Sequence, residues 1–418
     1  MNRPSAQTKR LQQIDGWVFP YVCACFTLWR RLMDLIFRPD TRTPPKSIIF
    51  LKLAEQGSTV LANEAIRQAV AKVGRGNVFF LMFEENRFIL DVMDLIPREN
   101  VLTIRTRSAV SMVTNCLSRL REIRRRKIDA CIDMEFFARS SAVIAYMMGT
   151  RIRVGFHCYF GEGPHRGNLF THRVLYNSHL HASKTFLTLV RALDNAPGEF
   201  PTFGYAPPAE MSLAHFQPRD DERAGVAVML RELAGTDASG RTRRIVLLNA
   251  NASDLMPLRR WENSNYVALA KQFLETFPDA AVAFTGAPSE ASKVARLVAD
   301  IGSPRCFSLA GKTTLRQLLI VYSLAEILVT NDSGPAHFAA LTPVDVVVLF
   351  GPETPLLFGT LSPRNHNIWL GLACSPCINA WNNRQTACAN NLCMKNIPVS
   401  QVYETVCTVY KQRLSQIQ

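Results

Sequence analysis

From residue 47 onward, short apolar runs alternate with longer amphipathic stretches. Residues 47–53, 78–82, 100–104, 128–134 and 151–156 are dominated by aliphatic and aromatic side chains at consecutive positions, the pattern of strands buried on both faces. Between them, 59–70, 91–96, 108–126 and 140–148 repeat apolar residues at helical spacing. Strand and helix in alternation predict a parallel sheet covered on both sides. On this pattern the first sheet closes at 151–156. The stretch 156–181, with scattered His157, His165, His172, His179 and His181, is expected to be polar loop.

Residues 195–218 are rich in Pro and Gly and weak in periodicity, which marks a joint. The rhythm then resumes. A helix is expected over 221–233 and a polar loop over 235–243. A strand starts at 244 and runs into the turn 249–253. A helix over 264–277 and a strand over 281–286 follow, then a helix over 315–323. Strands at 327–329 and 344–350 and a helix at 399–414 complete the chain. The expected organisation is an extension over 1–46, a first domain over 47–200, a joint over 201–240, a second domain over 241–398 and a terminal helix over 399–418.

The extension has its own character. Residues 17–29, WVFPYVCACFTLW, are strongly apolar but too short to span a bilayer, and Pro20 interrupts them. No small-residue cleavage site follows. Up to Lys46, eight basic residues stand against Asp15, Asp34 and Asp40, eight minus three, or +5. Such a segment either lies in the headgroup plane of an anionic leaflet or packs on the protein's own surface.

Composition narrows the rest. With 48% hydrophobic and 20% charged residues among 418, the chain is globular rather than disordered. A net charge of +14 suits phosphates, nucleic acid or anionic lipid. Nucleic acid is set aside, because no zinc-finger spacing, RNA-recognition motif or basic zipper is present. The run from Arg119 to Lys127 is either a solvated helix face or a contact for lipid phosphates. Eleven cysteines and no cleavable signal predict reduced thiols and a cytoplasmic location.

The candidate chemistry sits at strand ends, where ligands bind in such sheets. Asn331-Asp332-Ser333-Gly334 is a turn, and Pro335 suits a first helical position. Free backbone N–H groups and the helix dipole would there seat an anion such as a diphosphate, with His337 as a further donor. Arg259, Arg260 and Trp261 follow the 244 strand, and Gly286 ends the 281 strand. Trp261 is expected to pack under the following helix. Lys312 and Thr313 lack the upstream glycines of a Walker loop. On the first domain, Glu55, Gly57 and Ser58 follow the first strand, and Glu135 and Arg139 follow the fourth. A cap on the helix near Arg139 is the competing role for that pair. Cys374, Cys377, Cys388 and Cys393 have spacings that fit structural zinc, disulfides or unpaired thiols.

The order Asp332-Ser333-Gly334-Pro335-x-His337 resembles the donor signature of the heptosyltransferases, glycosyltransferase family 9. Arg259-Arg260-Trp261, Gly311-Lys312-Thr313-x-Leu315 and the Cys374-Ser375-Pro376-Cys377 stretch with Cys393-Met394 extend the resemblance over nearly the whole chain from Ser47. It implies an α/β GT-B architecture, two Rossmann-like domains facing a cleft. It implies inverting transfer of a heptose or related sugar from an ADP-heptose-like donor to a lipopolysaccharide-core or other lipid-linked saccharide, at the cytoplasmic side of the inner membrane. Donor contacts would come from Arg259, Arg260, Gly286, Asp332, Ser333, Gly334 and His337, and acceptor contacts from Gly57, Glu135 and Arg139. No catalytic cofactor is implied; zinc at the four cysteines would be structural. Where the family carries Gly-Asp, with that Asp as base, this chain has Gly57-Ser58. An alcohol at its ordinary pKa is no base near neutrality; Glu55, the nearest carboxylate, either substitutes for that Asp or faces solvent on its loop. A catalytically silent relative is the alternative.

Overall fold

The computed structural model describes residues 13–37, 40–161, 163–252, 256–382 and 384–415. They form two compact units. One comprises residues up to Ser212 together with Ile378–Thr386; the other comprises Leu213–Cys377 and the chain from Ala387.

The amino-terminal unit is built on β1 (Ile48–Leu51), β2 (Val78–Phe83), β3 (Val101–Ile104), β4 (Ala130–Asp133), β5 (Ile152–His157) and β6 (His172–Leu175). Their order in the sheet is β3-β2-β1-β4-β5-β6, and each neighbouring pair is parallel, with Ile48 of β1 opposite Val78 and Ala130. Every residue of β1 and β4 is buried, as consecutive apolar positions require of a sheet covered on both faces.

The carboxy-terminal unit repeats the plan with β7 (Arg244–Asn249), β8 (Ala280–Phe284), β9 (Cys306–Ser308), β10 (Ile327–Asn331), β11 (Asp345–Phe350) and β12 (Asn365–Trp369). Read from β9, its order is β9-β8-β7-β10-β11-β12, again all parallel. In both sheets the winding reverses beside the first strand, between β1 and β4 and between β7 and β10. In sheets of this kind ligands bind at such points, outside the carboxyl ends of the strands.

Besides β9 and the helices Ala182–Arg191 and Ala291–Ile301, which the pattern did not announce, three features differ from the expectation. The first sheet has a sixth strand, β6, inside the stretch expected to be loop. The second has β12, whose sequence NHNIW carries too few apolar residues to announce a strand. Both are edge strands, paired on one side only. Third, Gly57 and Ser58 lie inside the helix Gln56–Leu61, which starts two residues after the expected loop opens.

The helix Phe19–Ile36 packs on the helix Arg139–Met147 of the amino-terminal unit. Asp15 accepts hydrogen bonds from the Arg139 and Ser140 amides, capping that helix. Arg30 donates to the carbonyls of Asn168 and Phe170. Gly167 has φ +68, and a Cβ there would lie 2.6 Å from Thr27 Oγ1, so only glycine admits this approach. In the other unit the helix Val399–Ser415 covers the helix Asn263–Thr276, with Tyr410 edge-on to Phe273 and Phe277.

Candidate functional site

At the reversal point of the carboxy-terminal sheet, Asn331 ends β10 and ties the strand ends together. Its Oδ1 accepts from the Trp261 amide at 3.0 Å and Tyr266 hydroxyl at 3.2 Å, and its Nδ2 donates to Asn251 O at 3.1 Å. Trp261 is buried edge-on against Tyr266 and donates to Ile397 O, so it packs under the helix as expected. Arg259 and Arg260 therefore leave a rigid point.

The two arginines are held differently. Arg259 is enclosed between two buried acids: Nη2 donates to Glu353 Oε1 at 2.6 Å, and Nε lies 3.5 Å from Asp332 Oδ2. Arg260 donates through Nε and Nη2 to Ala252 O, closing the turn after β7. A buried guanidinium requires such partners. Desolvation pushes both carboxyls up, Glu353 to about 7, while Arg259 pulls them down. With all three charged the cluster carries one net negative charge; with Glu353 protonated it is neutral.

Ser333 Oγ donates to Asn331 O, and Ser333 precedes the short helix Gly334–Ala339, in which His337 is buried. Gly286 follows β8 where a Cβ would meet Asn251 Nδ2 at 3.1 Å and Glu290 Oε2 at 3.1 Å. The structure thus gathers Arg259 with Asp332, and Arg260 with the neighbouring turn. Glu353 had no individual signature, being a single acid in the turn after Gly351-Pro352. Burial beside Arg259 is what distinguishes it.

At the reversal point of the amino-terminal sheet, Lys52 is buried at the end of β1 and pairs with Glu135 Oε2 at 2.9 Å and Glu55 Oε2 at 3.4 Å. Glu135 Oε1 also accepts from the amides of Leu53 and Ala54, at 2.8 and 3.3 Å. It is a clamp on the turn. Ser58 Oγ donates to Glu55 Oε2 at 3.1 Å, and Arg384 ion-pairs with Glu55 Oε1. Glu55 has φ +70, a strained conformation for a residue with a side chain, and its carboxylate keeps about a third of its exposure. Gly57 is buried in the helix that follows.

Arg139 is spent on structure: Nε donates to His165 O at 3.1 Å and Nη1 to Asp15 O at 3.4 Å. Arg166 is fully buried against Asp133, Ser141 and the Phe136 and Ala138 carbonyls. Sequence pattern pointed to neither Lys52 nor Arg384. A lysine directly after a buried strand was the available signal for the first.

Among the described residues Cys374, Cys377, Cys388 and Cys393 form no disulfide; Cys374 and Cys388 are exposed, Cys377 half-buried and Cys393 buried. Burial pushes the Cys393 thiol up to about 11, and the other three thiols add to the shift. Among the described residues, no group of three or more His, Cys, Asp or Glu is placed to hold a metal.

Two parallel sheets of like winding, each with a polar cluster at its reversal point, define the GT-B class of glycosyltransferase fold. The profile of Glycosyltransferase family 9 (heptosyltransferase) matches residues 117–387, and the chain belongs to that family. Lipopolysaccharide heptosyltransferase 2 of Salmonella typhimurium is 30% identical over 128 residues, 30% of this chain and 36% of the relative. The chain thus matches only about a third of that relative's length. The structure of E. coli ADP-heptose lps heptosyltransferase II aligns with a TM-score of 0.65 at 17% identity, covering 88% of this chain and 99% of that one. The E. coli heptosyltransferase WaaC with ADP aligns with a TM-score of 0.59 at 16% identity, covering 87% and 99%.

Proposed function

We propose that the protein transfers a heptose or related sugar from an ADP-sugar donor to a lipopolysaccharide-core or other lipid-linked saccharide, with inversion at the anomeric carbon. The observation that carries this is the Asp332–Arg259–Glu353 cluster at the reversal point of the carboxy-terminal sheet. It places a desolvated cation beside the Ser333–Gly334 turn in a member of a sugar-transfer family, and a relative of like fold was solved with ADP. Arg259, Arg260, His337 and the backbone amides after Ser333 would neutralise the leaving diphosphate without a metal.

On the amino-terminal unit, Glu55 is the base. Its carboxylate takes the proton of the acceptor hydroxyl as the oxygen attacks the anomeric carbon and the nucleoside diphosphate departs. Ser58 acts through its hydrogen bond to Glu55 and stands in for no acid. The same bond, with the ion pairs to Lys52 and Arg384, favours a second reading, in which Glu55 is immobilised and the protein binds nucleotide-sugar without transfer.

Transfer assays with purified acceptor separate the two. Glu55→Gln is expected to lower kcat by roughly 10²–10⁴-fold and Ser58→Ala by less than about tenfold. Nucleotide binding without turnover for any donor supports the silent reading. An unchanged kcat in Glu55→Gln removes Glu55 from the mechanism.

A further inference from the structure

The helix Phe19–Ile36 has two apolar faces, and the protein uses only one of them. Phe19, Val22, Cys23 and Phe26 pack into the core shared by β1, β4 and the helix Arg139–Met147. Among the described residues nothing covers the opposite side. Tyr21, Leu28, Leu32 and Leu35 recur at helical spacing along it and Trp17 precedes the helix on the same side, with Trp17, Tyr21 and Leu35 exposed at 78%, 75% and 79%. Of nineteen exposed large hydrophobic residues among those described, ten lie between Ile14 and Phe37. Exposure of this kind is concentrated on one element, which scattered surface apolar residues do not produce.

Charge selects the occupant. Both acids of the described helical segment are engaged: Asp15 caps a neighbouring helix, and Asp34 pairs with Arg30. Arg31 is exposed within the apolar side. The helix Ala109–Arg125 covers the same face of the sheet. It presents exposed Val110, Val113 and Leu117, followed by exposed Arg121, Arg125 and Lys127. Apolar side chains with Trp and Tyr among them, bordered by cations, match the interface of an anionic bilayer. None of the described helices is long and apolar enough to cross one.

We infer that the outward side of the helix Phe19–Ile36 is a docking face for an anionic lipid bilayer. It lies in the headgroup plane with Trp17, Tyr21, Leu28 and Leu32 in the acyl boundary and Arg31 on lipid phosphate. The inference goes beyond sugar transfer and does not depend on it.

The test uses the full chain and two vesicle preparations, phosphatidylcholine alone and phosphatidylcholine mixed with phosphatidylglycerol. Co-sedimentation is expected to be at least about tenfold stronger on the anionic vesicles, and about tenfold weaker again for Trp17→Ser/Leu28→Ser/Leu32→Ser. Those side chains are exposed, so the triple variant should keep its unfolding midpoint and ADP affinity. That separates a failure here from a failure of the transfer proposal. In the wild type, lipid brominated on the upper acyl chain should quench tryptophan fluorescence, which tests the face even if the variant does not fold. Equal binding to both vesicles, equal binding of wild type and variant, or absence of quenching overturns the inference. So does a concentration-dependent dimer that the same substitutions abolish, because a second copy would then own the face.

Discussion

Glu353→Gln isolates the electrostatics of the proposed donor site. Glu353 is buried, with a carboxyl raised to about 7 chiefly by desolvation, against the pull of Arg259. Its charge therefore appears as pH rises through neutrality. With Asp332 ionised, Arg259 faces two carboxylates above that point and the cluster is net negative; with Glu353 protonated it is neutral. At an effective dielectric of about 20 and a separation of about 6 Å, one unit charge is worth roughly 3 kcal/mol to an anion, on the order of a hundredfold in Kd. Wild-type affinity for ADP should therefore fall between about pH 6 and about pH 8.5, by at least tenfold of that hundredfold. ADP has a phosphate that titrates near 6 itself, so the measurement is the difference between wild type and variant at each pH, by titration calorimetry. Glu353→Gln should bind more tightly than wild type at the alkaline end and equally at the acid end. A variant that keeps the wild-type slope, or binds more weakly at alkaline pH, refutes the assignment of Arg259 to the diphosphate.

The same substitution has a stability signature. A folded pKa of about 7 against an ordinary 4.5 means the folded state holds the proton more tightly, so its stabilising contribution is complete below about 4.5 and is lost as pH rises to about 7, roughly 3 kcal/mol. Urea midpoints of Glu353→Gln should be flatter over that window; an unchanged slope sinks the claim. His172 works in the opposite sense. Burial holds it down to about 4, so its neutral form stabilises the fold above 6.5 and that contribution is lost as pH falls toward 4. His172→Gln should flatten the acid limb, and an identical limb would rule this out. Lys52→Ala leaves Glu135 without its buried partner and should cost about 3–5 kcal/mol by urea unfolding, with partial recovery on adding Glu135→Gln; a loss under about 1 kcal/mol contradicts the clamp. Gly155→Ala places a methyl group 2.5 Å from the Phe170 ring and should cost about 1–3 kcal/mol, measured the same way; wild-type stability would mean the ring moves freely.

Much of the fold was legible because strands buried on both faces are written as consecutive apolar residues. β1, β2, β10 and β11 are such cases, and all their residues are buried except Phe83. Edge strands lack that constraint, so the polar β6 and β12 left no comparable trace. The turn Asn331–Gly334 was readable because its chemistry is local. The partners of its one acid, Asp332, were not. Arg259 and Glu353 are 94 residues apart and meet only because β7, β10 and β11 are neighbours in the sheet. Arg139 shows the converse: its side chain suits phosphate, but its hydrogen bonds run to Asp15 O and His165 O, neighbours that the local sequence does not reveal. Asp15 takes the cap at the start of the helix Arg139–Met147, the competing role foreseen for Glu135 and Arg139.

The excursion of Ile378–Thr386 bears on how the molecule can be dissected. This short piece follows β12 yet belongs with the first sheet, where Trp381 stacks on Phe137 and Arg384 meets Glu55. A fragment ending at Ser212 would therefore lack its own aromatic cover and one of the two cations on Glu55. A single cut cannot yield two intact halves, and only co-expression that supplies the missing nine-residue loop in trans, or a graft of it onto the fragment, would restore the first half to its native surface.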